Sequence, residues 1–196
     1  MKRTLVVMTA LTMMLAGCVT EEAVAGDEEP VVSEPSPTAA LFPTWTAVDH
    51  TNASHSNDEY ANLAYMAYFS APWCAHCEST IDAYDQVIPE GRIAVFSMEA
   101  REEYGNMSEW QNRTEVNLNR TIDRPFMLHP ELAKSVDVKS IPHAVFVNEQ
   151  GYVYHVEIGK ETNLTSIQSM WDLTVSAQFN ETTGWRPGPP GSETEA

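Results

Sequence analysis

Apolar residues between Leu63 and Phe179 fall into two alternating periods. Leu63–Phe69 (LAYMAYF) is continuously apolar and aromatic, the pattern of a strand buried on both faces. Ser70-Ala71-Pro72 breaks it, and from Cys74 the spacing lengthens. Cys77, Ile81, Tyr84 and Ile88 recur at helical intervals until Pro89-Glu90-Gly91 stops the helix. Arg92–Met98 (RIAVFSM) is a second buried strand. A polar stretch follows, with a helix predicted over Met107–Asn117 and a short one over Pro130–Val136, where Pro130 suits a first helical position. His143–Val147 (HAVFV) reads as a strand and Asn148-Glu149-Gln150-Gly151 as a turn. Tyr152–Ile158 alternates, which predicts an antiparallel strand with Tyr152, Tyr154, Val156 and Ile158 on one face and a wetter face opposite. Leu164, Ile167, Trp171, Val175 and Phe179 line one side of a closing helix. Parallel strand–helix units followed by a hairpin predict an α/β fold with a mixed central sheet and helices on both faces.

The ends have no such pattern. Met1-Lys2-Arg3 is positive, and Thr4–Ala16 is an apolar run well short of the roughly 20 residues that span a bilayer. It fits a signal peptide over residues 1–17. The run ends in Leu15-Ala16-Gly17-Cys18, which resembles the lipobox of prokaryotic lipoproteins. The resemblance implies that Cys18 is lipidated and that the protein is held to a membrane by this anchor alone; the alternative is a plain signal peptide with a chance cysteine. Residues 18–40 are rich in Glu, Pro, Ser, Thr and Ala and lack periodicity, which predicts a flexible acidic tether. The Pro/Gly-rich, acidic end from Gly184 to Ala196 is expected to be a disordered tail, leaving a folded domain over 41–183.

Charge narrows the partners. The 196 residues carry 28 acidic and 11 basic side chains, a formal charge of −17, with no basic stripe. Such a chain repels phosphate backbones, which argues against nucleic-acid binding. Three cysteines are too few for a disulfide-stapled scaffold, so each needs its own explanation.

Two of them sit in Trp73-Cys74-Ala75-His76-Cys77, between the first strand and its helix. Two intervening residues at a helix start bring both sulfurs within bridging reach. Cys74 then lies at the helix N-terminus, where unpaired N–H groups and the dipole favour a thiolate and hold the thiol below its usual value of about 8.5. Cys77, one turn further in, is suited to resolve a mixed disulfide by attacking Cys74. A protonated His76 would stabilise the reduced pair further, making the disulfide a better oxidant.

Phe69–Cys77 (FSAPWCAHC) resembles the active-site stretch of the thioredoxin superfamily. The family's second landmark is a cis-proline after an aliphatic residue, matched here by Ile141-Pro142, which the resemblance places in the substrate groove. Residues 131–142 and 146–151 resemble the membrane-tethered thiol reductase branch, which includes the cytochrome c maturation proteins and carries an extra helix near 107–117. The resemblance implies a thiol–disulfide oxidoreductase with catalytic Cys74 and Cys77 and with His76 and Trp73 as redox-tuning residues, Trp73 being a packing shield at the site rim. It also implies protein thiols or disulfides as substrates, a membrane electron-transfer partner and no bound cofactor.

Three positions depart from the family pattern. Tyr68 stands where members often have a buried carboxylate that accepts the proton of the second cysteine, leaving Glu78 and Glu99 as candidates. His76 resembles oxidising and isomerising members, whereas residues 131–151 resemble reductases, so direction stays open. His143 follows Pro142, where threonine is commoner, and is a candidate to face the thiols. Alternatives for the cysteine pair are a copper or zinc site with His76 and His143, a structural disulfide, or an inactive binding module. His50, His55, His129 and His155 read as surface or helix-start residues. Asn52, Asn106, Asn112, Asn119, Asn163 and Asn180, six of ten asparagines, lie in N-x-S/T sequons and are candidate glycosylation sites, or simply reflect an Asn- and Thr-rich composition.

Overall fold

The computed structural model describes residues 39–189. The signal segment 1–17, Cys18, the tether up to residue 38 and the tail from residue 190 lie outside the described residues. Chain order begins with a short antiparallel hairpin, β1 (Thr46–Val48) and β2 (Ser54–Ser56), followed by a single 3-10 turn, Asn57–Tyr60. Then come β3 (Tyr65–Ser70), α1 (Ala75–Val87), β4 (Ile93–Ser97), α2 (Asn106–Leu118), β5 (Phe126–Leu128) and α3 (Pro130–Ser135). β6 (His143–Val147), β7 (Val153–Ile158), α4 (Leu164–Ser176), β8 (Gln178–Asn180) and β9 (Gly184–Arg186) complete it.

The central sheet runs β5-β4-β3-β6-β7. β3, β4 and β5 are parallel, and β6 and β7 return antiparallel. Every residue of β3, β4 and β6 is buried, as their unbroken apolar runs require. Met66, Tyr68, Val95, Ala144 and Phe146 pack beneath residues of α1, α2 and α4, including Ile81, Tyr84, Trp110, Ile167 and Trp171. On the other face Ala67, Phe69, Phe96 and Val145 are covered by Leu132 and Ala133 of α3, by Phe42 and Trp45 of the entering chain, and by Tyr60. Helices thus lie on both faces of a mixed sheet.

The far end of α1 is locked by buried charge. Arg124 donates to the carbonyls of Ile88 (2.9 Å) and Pro89 (2.8 Å) and to Asp85 (2.7 Å). It satisfies carbonyls that the helix end leaves open. Arg120 pairs with Asp82 at 2.7 Å and with Asp85.

Four expectations change. The stretch 41–62, left without elements by its pattern, carries the β1–β2 hairpin, whose turn is organised by the Asp49 carboxylate accepting from Thr51 and Ala53. In β7 a register irregularity opposite Phe146/Val147 leaves Tyr154 buried but puts Val156 (39%) and Ile158 (57%) at an exposed edge. α4 ends at Ser176, so Phe179 belongs to β8, and it is Thr174, rather than Val175, that is buried. The domain also continues past the boundary expected at 183. β9 pairs with β8, Trp185 packs on Tyr154 and Phe179 at ring-centroid distances of 5.1 and 5.2 Å, and Tyr154 Oη donates to Gly188 O. Trp185 supplies enough aromatic area to hold a segment that its Pro/Gly content marks as loose.

The entering chain is fixed at the opposite end of the sheet from Ser70. Val153 N–H donates to Ala40 O, Phe42 N–H donates to Gly151 O, and Leu41 bridges Tyr152. Among the described residues no helix is long and apolar enough to cross a membrane.

Candidate active site

β3 ends at Ser70 and the chain turns through Ala71-Pro72-Trp73 into α1, with Cys74 in the N-cap position. The Cys74 N–H donates to Ala71 O at 3.0 Å and the Cys77 N–H to Cys74 O at 3.1 Å, which winds the first turn. Cys74 and Cys77 form a disulfide, their Cα atoms 5.4 Å apart. Their surroundings differ: Cys77 is 2% exposed within the core, whereas Cys74 is half-buried at its edge. His76 is exposed, and its carbonyl accepts from Thr80 Oγ1 and Ser79 Oγ. The Ile141–Pro142 peptide is cis. Pro142 is buried, its carbonyl accepts from Gly159 N–H at 2.9 Å, and Ile141 packs on the same apolar cluster as Cys74.

No family model and no curated protein matches the chain. Solved structures do. A thiol:disulfide interchange protein of the thioredoxin family from Chlorobium tepidum TLS superposes with a TM-score of 0.58 at 19% identity, over 71% of this chain and 99% of that one. A thiol-disulfide isomerase from Corynebacterium glutamicum gives 0.55 at 13% identity, over 72% and 99%. The pneumococcal exposed lipoprotein thioredoxin from Streptococcus pneumoniae gives 0.51 at 15%, over 65% and 99%. The chain has a thioredoxin-like fold.

Within this thioredoxin-like domain, Tyr68 is fully buried and its hydroxyl donates to the Cys77 carbonyl at 2.9 Å. Burial pushes the phenol well above its ordinary value, and neighbouring Tyr84 adds to this, so at neutral pH it is a hydrogen-bond donor and not a base. The two carboxylates named as proton acceptors are engaged elsewhere. Glu99 is forked by Arg101 (Nε and Nη2 both at 2.9 Å) and accepts the Trp73 indole N–H at 3.2 Å. The Arg101 side chain, then its backbone N–H, lower the Glu99 pKa to about 2, with burial opposing weakly and Trp73 helping. Glu78 accepts from Asn117 at 2.8 Å and faces Arg113 at 3.7 Å. Trp73 itself is 63% exposed, tethered at the site rim by Glu99.

His143 does not join the α1 face. It is buried against Phe69, which belongs to the face covered by α3, and burial holds its imidazole below the usual value. Among the described residues no three His, Cys, Asp or Glu side chains are grouped as a metal site would need. His129 caps α3, accepting from Leu132 N–H. His55 bridges Asp49 (3.0 Å) and Glu59 (3.2 Å). All six sequon asparagines are exposed: Asn52 in the β1–β2 turn, Asn106, Asn112 and Asn119 along α2 and its cap, Asn163 capping α4, and Asn180 ending β8. Sequence reasoning missed Arg101, which pairs with Glu99 two residues away in an irregular loop, and Arg113 and Arg124, whose partners lie on other elements and leave no periodic signal.

Proposed function

We propose that this chain is an extracytoplasmic, lipid-anchored thiol–disulfide oxidoreductase that exchanges disulfides with protein substrates through Cys74 and Cys77. The observation that carries the reading is the disulfide at the start of α1, with one sulfur-bearing residue reachable and the other buried. In the reducing direction, the Cys74 thiolate attacks a substrate disulfide. A Cys74–substrate bond forms, and the leaving substrate thiolate takes a proton. Cys77, losing its proton, then attacks Cys74 Sγ, re-forms the Cys74–Cys77 bond and releases the second substrate thiol. One substrate disulfide becomes two thiols while the enzyme dithiol becomes a disulfide; the oxidising direction is the reverse. Ile141 and Pro142 shape the groove in this reading, His76 tunes the potential, and Trp73 walls the rim.

The N-terminal segments 1–17 and 18–40 act as leader and tether, with Cys18 the lipidated residue. Support for the location comes from the lipobox-like tetrapeptide and from neighbours described as an exposed lipoprotein thioredoxin and a secreted disulfide oxidoreductase. The exposed sequon asparagines are proposed glycan acceptors, and intact-mass measurement of the mature protein reads both modifications. In the reducing direction a membrane electron-transfer partner regenerates the dithiol.

The deciding experiment is the reduction potential of the pair in a soluble chain starting near Leu41, equilibrated against glutathione and dithiothreitol. A value around −270 mV supports a reductase, and one around −120 to −180 mV a disulfide-forming or isomerising role tuned by His76. A pair that fails to cycle while retaining stoichiometric copper or zinc would overturn the proposal.

A further inference from the structure

Besides the Trp73–Glu99 contact, a second charged arrangement reaches the active-site turn, and it comes from α2. Arg113 donates from Nη2 to the Pro72 carbonyl, two residues before Cys74. Its Nε faces Glu78 Oε1 at 3.7 Å, while the other Glu78 oxygen accepts from Asn117 Nδ2 at 2.8 Å. Arg113 and Asn117 are four residues apart, so one face of α2 presents both groups to the first turn of α1. Glu78 directly follows Cys77 and is the acidic residue of that turn. Its carboxylate is favourable to the helix N-terminus, yet it competes with a Cys74 thiolate for the same partial positive charge. An uncompensated Glu78 therefore disfavours the thiolate. Arg113 opposes it twice, by pairing with the carboxylate and by fixing a cation on the carbonyl beside the nucleophile. Arg120 and Arg124, which follow α2 in the chain, pair instead with Asp82 and Asp85 near the far end of α1.

We propose that Arg113 is a positioning residue for the disulfide chemistry: from α2 it holds the Pro72 carbonyl and offsets Glu78, stabilising the Cys74 thiolate and with it the reduced pair. This rests on the thiol–disulfide reading above.

The test compares the soluble chain starting near Leu41 with Arg113→Met, Arg113→Lys, Glu78→Gln and the Arg113→Met/Glu78→Gln double variant. Two readouts are used: equilibrium with glutathione, and the pH dependence of Cys74 alkylation by iodoacetamide in the reduced protein. Arg113→Met is expected to move the glutathione equilibrium about fivefold toward the disulfide, or about 20 mV more negative for this two-electron couple, and to shift the alkylation profile to higher pH. Arg113→Lys keeps the charge and recovers at least half of that shift. Glu78→Gln moves both readouts the other way, and the double variant falls between the single ones, with a coupling term that isolates the pair. Wild-type equilibrium and alkylation profile in Arg113→Met, or a loss of thermal stability with neither readout moved, would overturn the inference. A wild-type protein inert toward glutathione would sink the oxidoreductase reading instead, and the alkylation profile would still report on Arg113.

Discussion

The two ends of α1 are both served by arginines, and they are built on opposite terms. At the C-terminal end Arg124 is buried, its side chain 4% exposed, and it spends its donors on two helix-end carbonyls and Asp85. At the N-terminal end Arg113 is half-exposed, its pair with Glu78 is longer, and its other contact is to the turn before the helix. Buried pairs are costly to break because the partner is left unsatisfied, whereas exposed pairs contribute little to stability and act through the local field. One end fixes where the helix stands, and the other adjusts what its first turn does. The proposed thiol–disulfide exchange needs both, since a sulfur must stay in register while its charge state changes.

The largest effect should come from breaking the locked end. Arg124→Met removes the side-chain donor to the Ile88 carbonyl and one of two donors each to Pro89 O and Asp85, which keep the Arg92 N–H and Arg120, and should cost about 2–3 kcal/mol in urea unfolding. The glutathione equilibrium of the folded protein should stay at its wild-type value. A potential that moved with Arg124 would show that the two ends of α1 are coupled and do not serve separate tasks. A smaller effect is expected from the middle of the contrast. Tyr68→Phe removes one buried hydrogen bond to the Cys77 carbonyl and should cost about 1 kcal/mol by the same measurement, together with a modest change in the resolution rate of a mixed disulfide. An unchanged rate would make Tyr68 purely structural.

The smallest effect concerns a charged cluster away from α1, which serves as a control. Burial alone would push the His55 imidazole down, but its hydrogen bonds to Asp49 and Glu59 outweigh this and its pKa is raised from 6.5. Asp49 is likewise opposed by burial, yet hydrogen bonds from Thr51, His55 and Ala53 lower it from 3.8 to about 2. The His55 contribution is complete below its unfolded value and is lost as pH rises through the raised folded one. The Asp49 contribution is complete above its unfolded value and is lost as pH falls through the lowered one. The β1–β2 hairpin should therefore be tightest between about pH 4 and 6.5. Amide exchange there, corrected for intrinsic rate, should quicken a few-fold from about pH 6 to about pH 8, with β3 and β4 unaffected. His55→Gln should abolish that pH dependence, and a dependence that survived the substitution would assign it to another group.

What could be read from the sequence follows from how local the cause is. β3, β4 and β6 announce themselves because burial on both faces demands an unbroken apolar run, and α1 because its period is helical. The Cys74–Cys77 pair is legible because three residues of separation at a helix start is itself the geometry. The charged contacts are not legible. Arg113 and Pro72 are 41 positions apart, and Arg124 and Asp85 are 39, so only the packed sheet brings them together. The short hairpins escape for another reason: TAV and SHS, or QFN and GWR, are too brief to show a period, and their stability comes from Trp45 and Trp185 packing elsewhere. The edge of β7 misleads because one register irregularity decouples sequence alternation from face.

The way the chain enters the domain gives the molecule a polarity. Ala40 and Phe42 are pinned beside the turn at Gly151, while the Cys74 turn opens from the other end of β3. The described chain thus begins at one pole of the sheet, and the disulfide is carried at the other. In the proposed lipid-anchored oxidoreductase the sheet stands between attachment and chemistry, so that a bulky partner reaches Cys74 without passing the entering chain at Gly151.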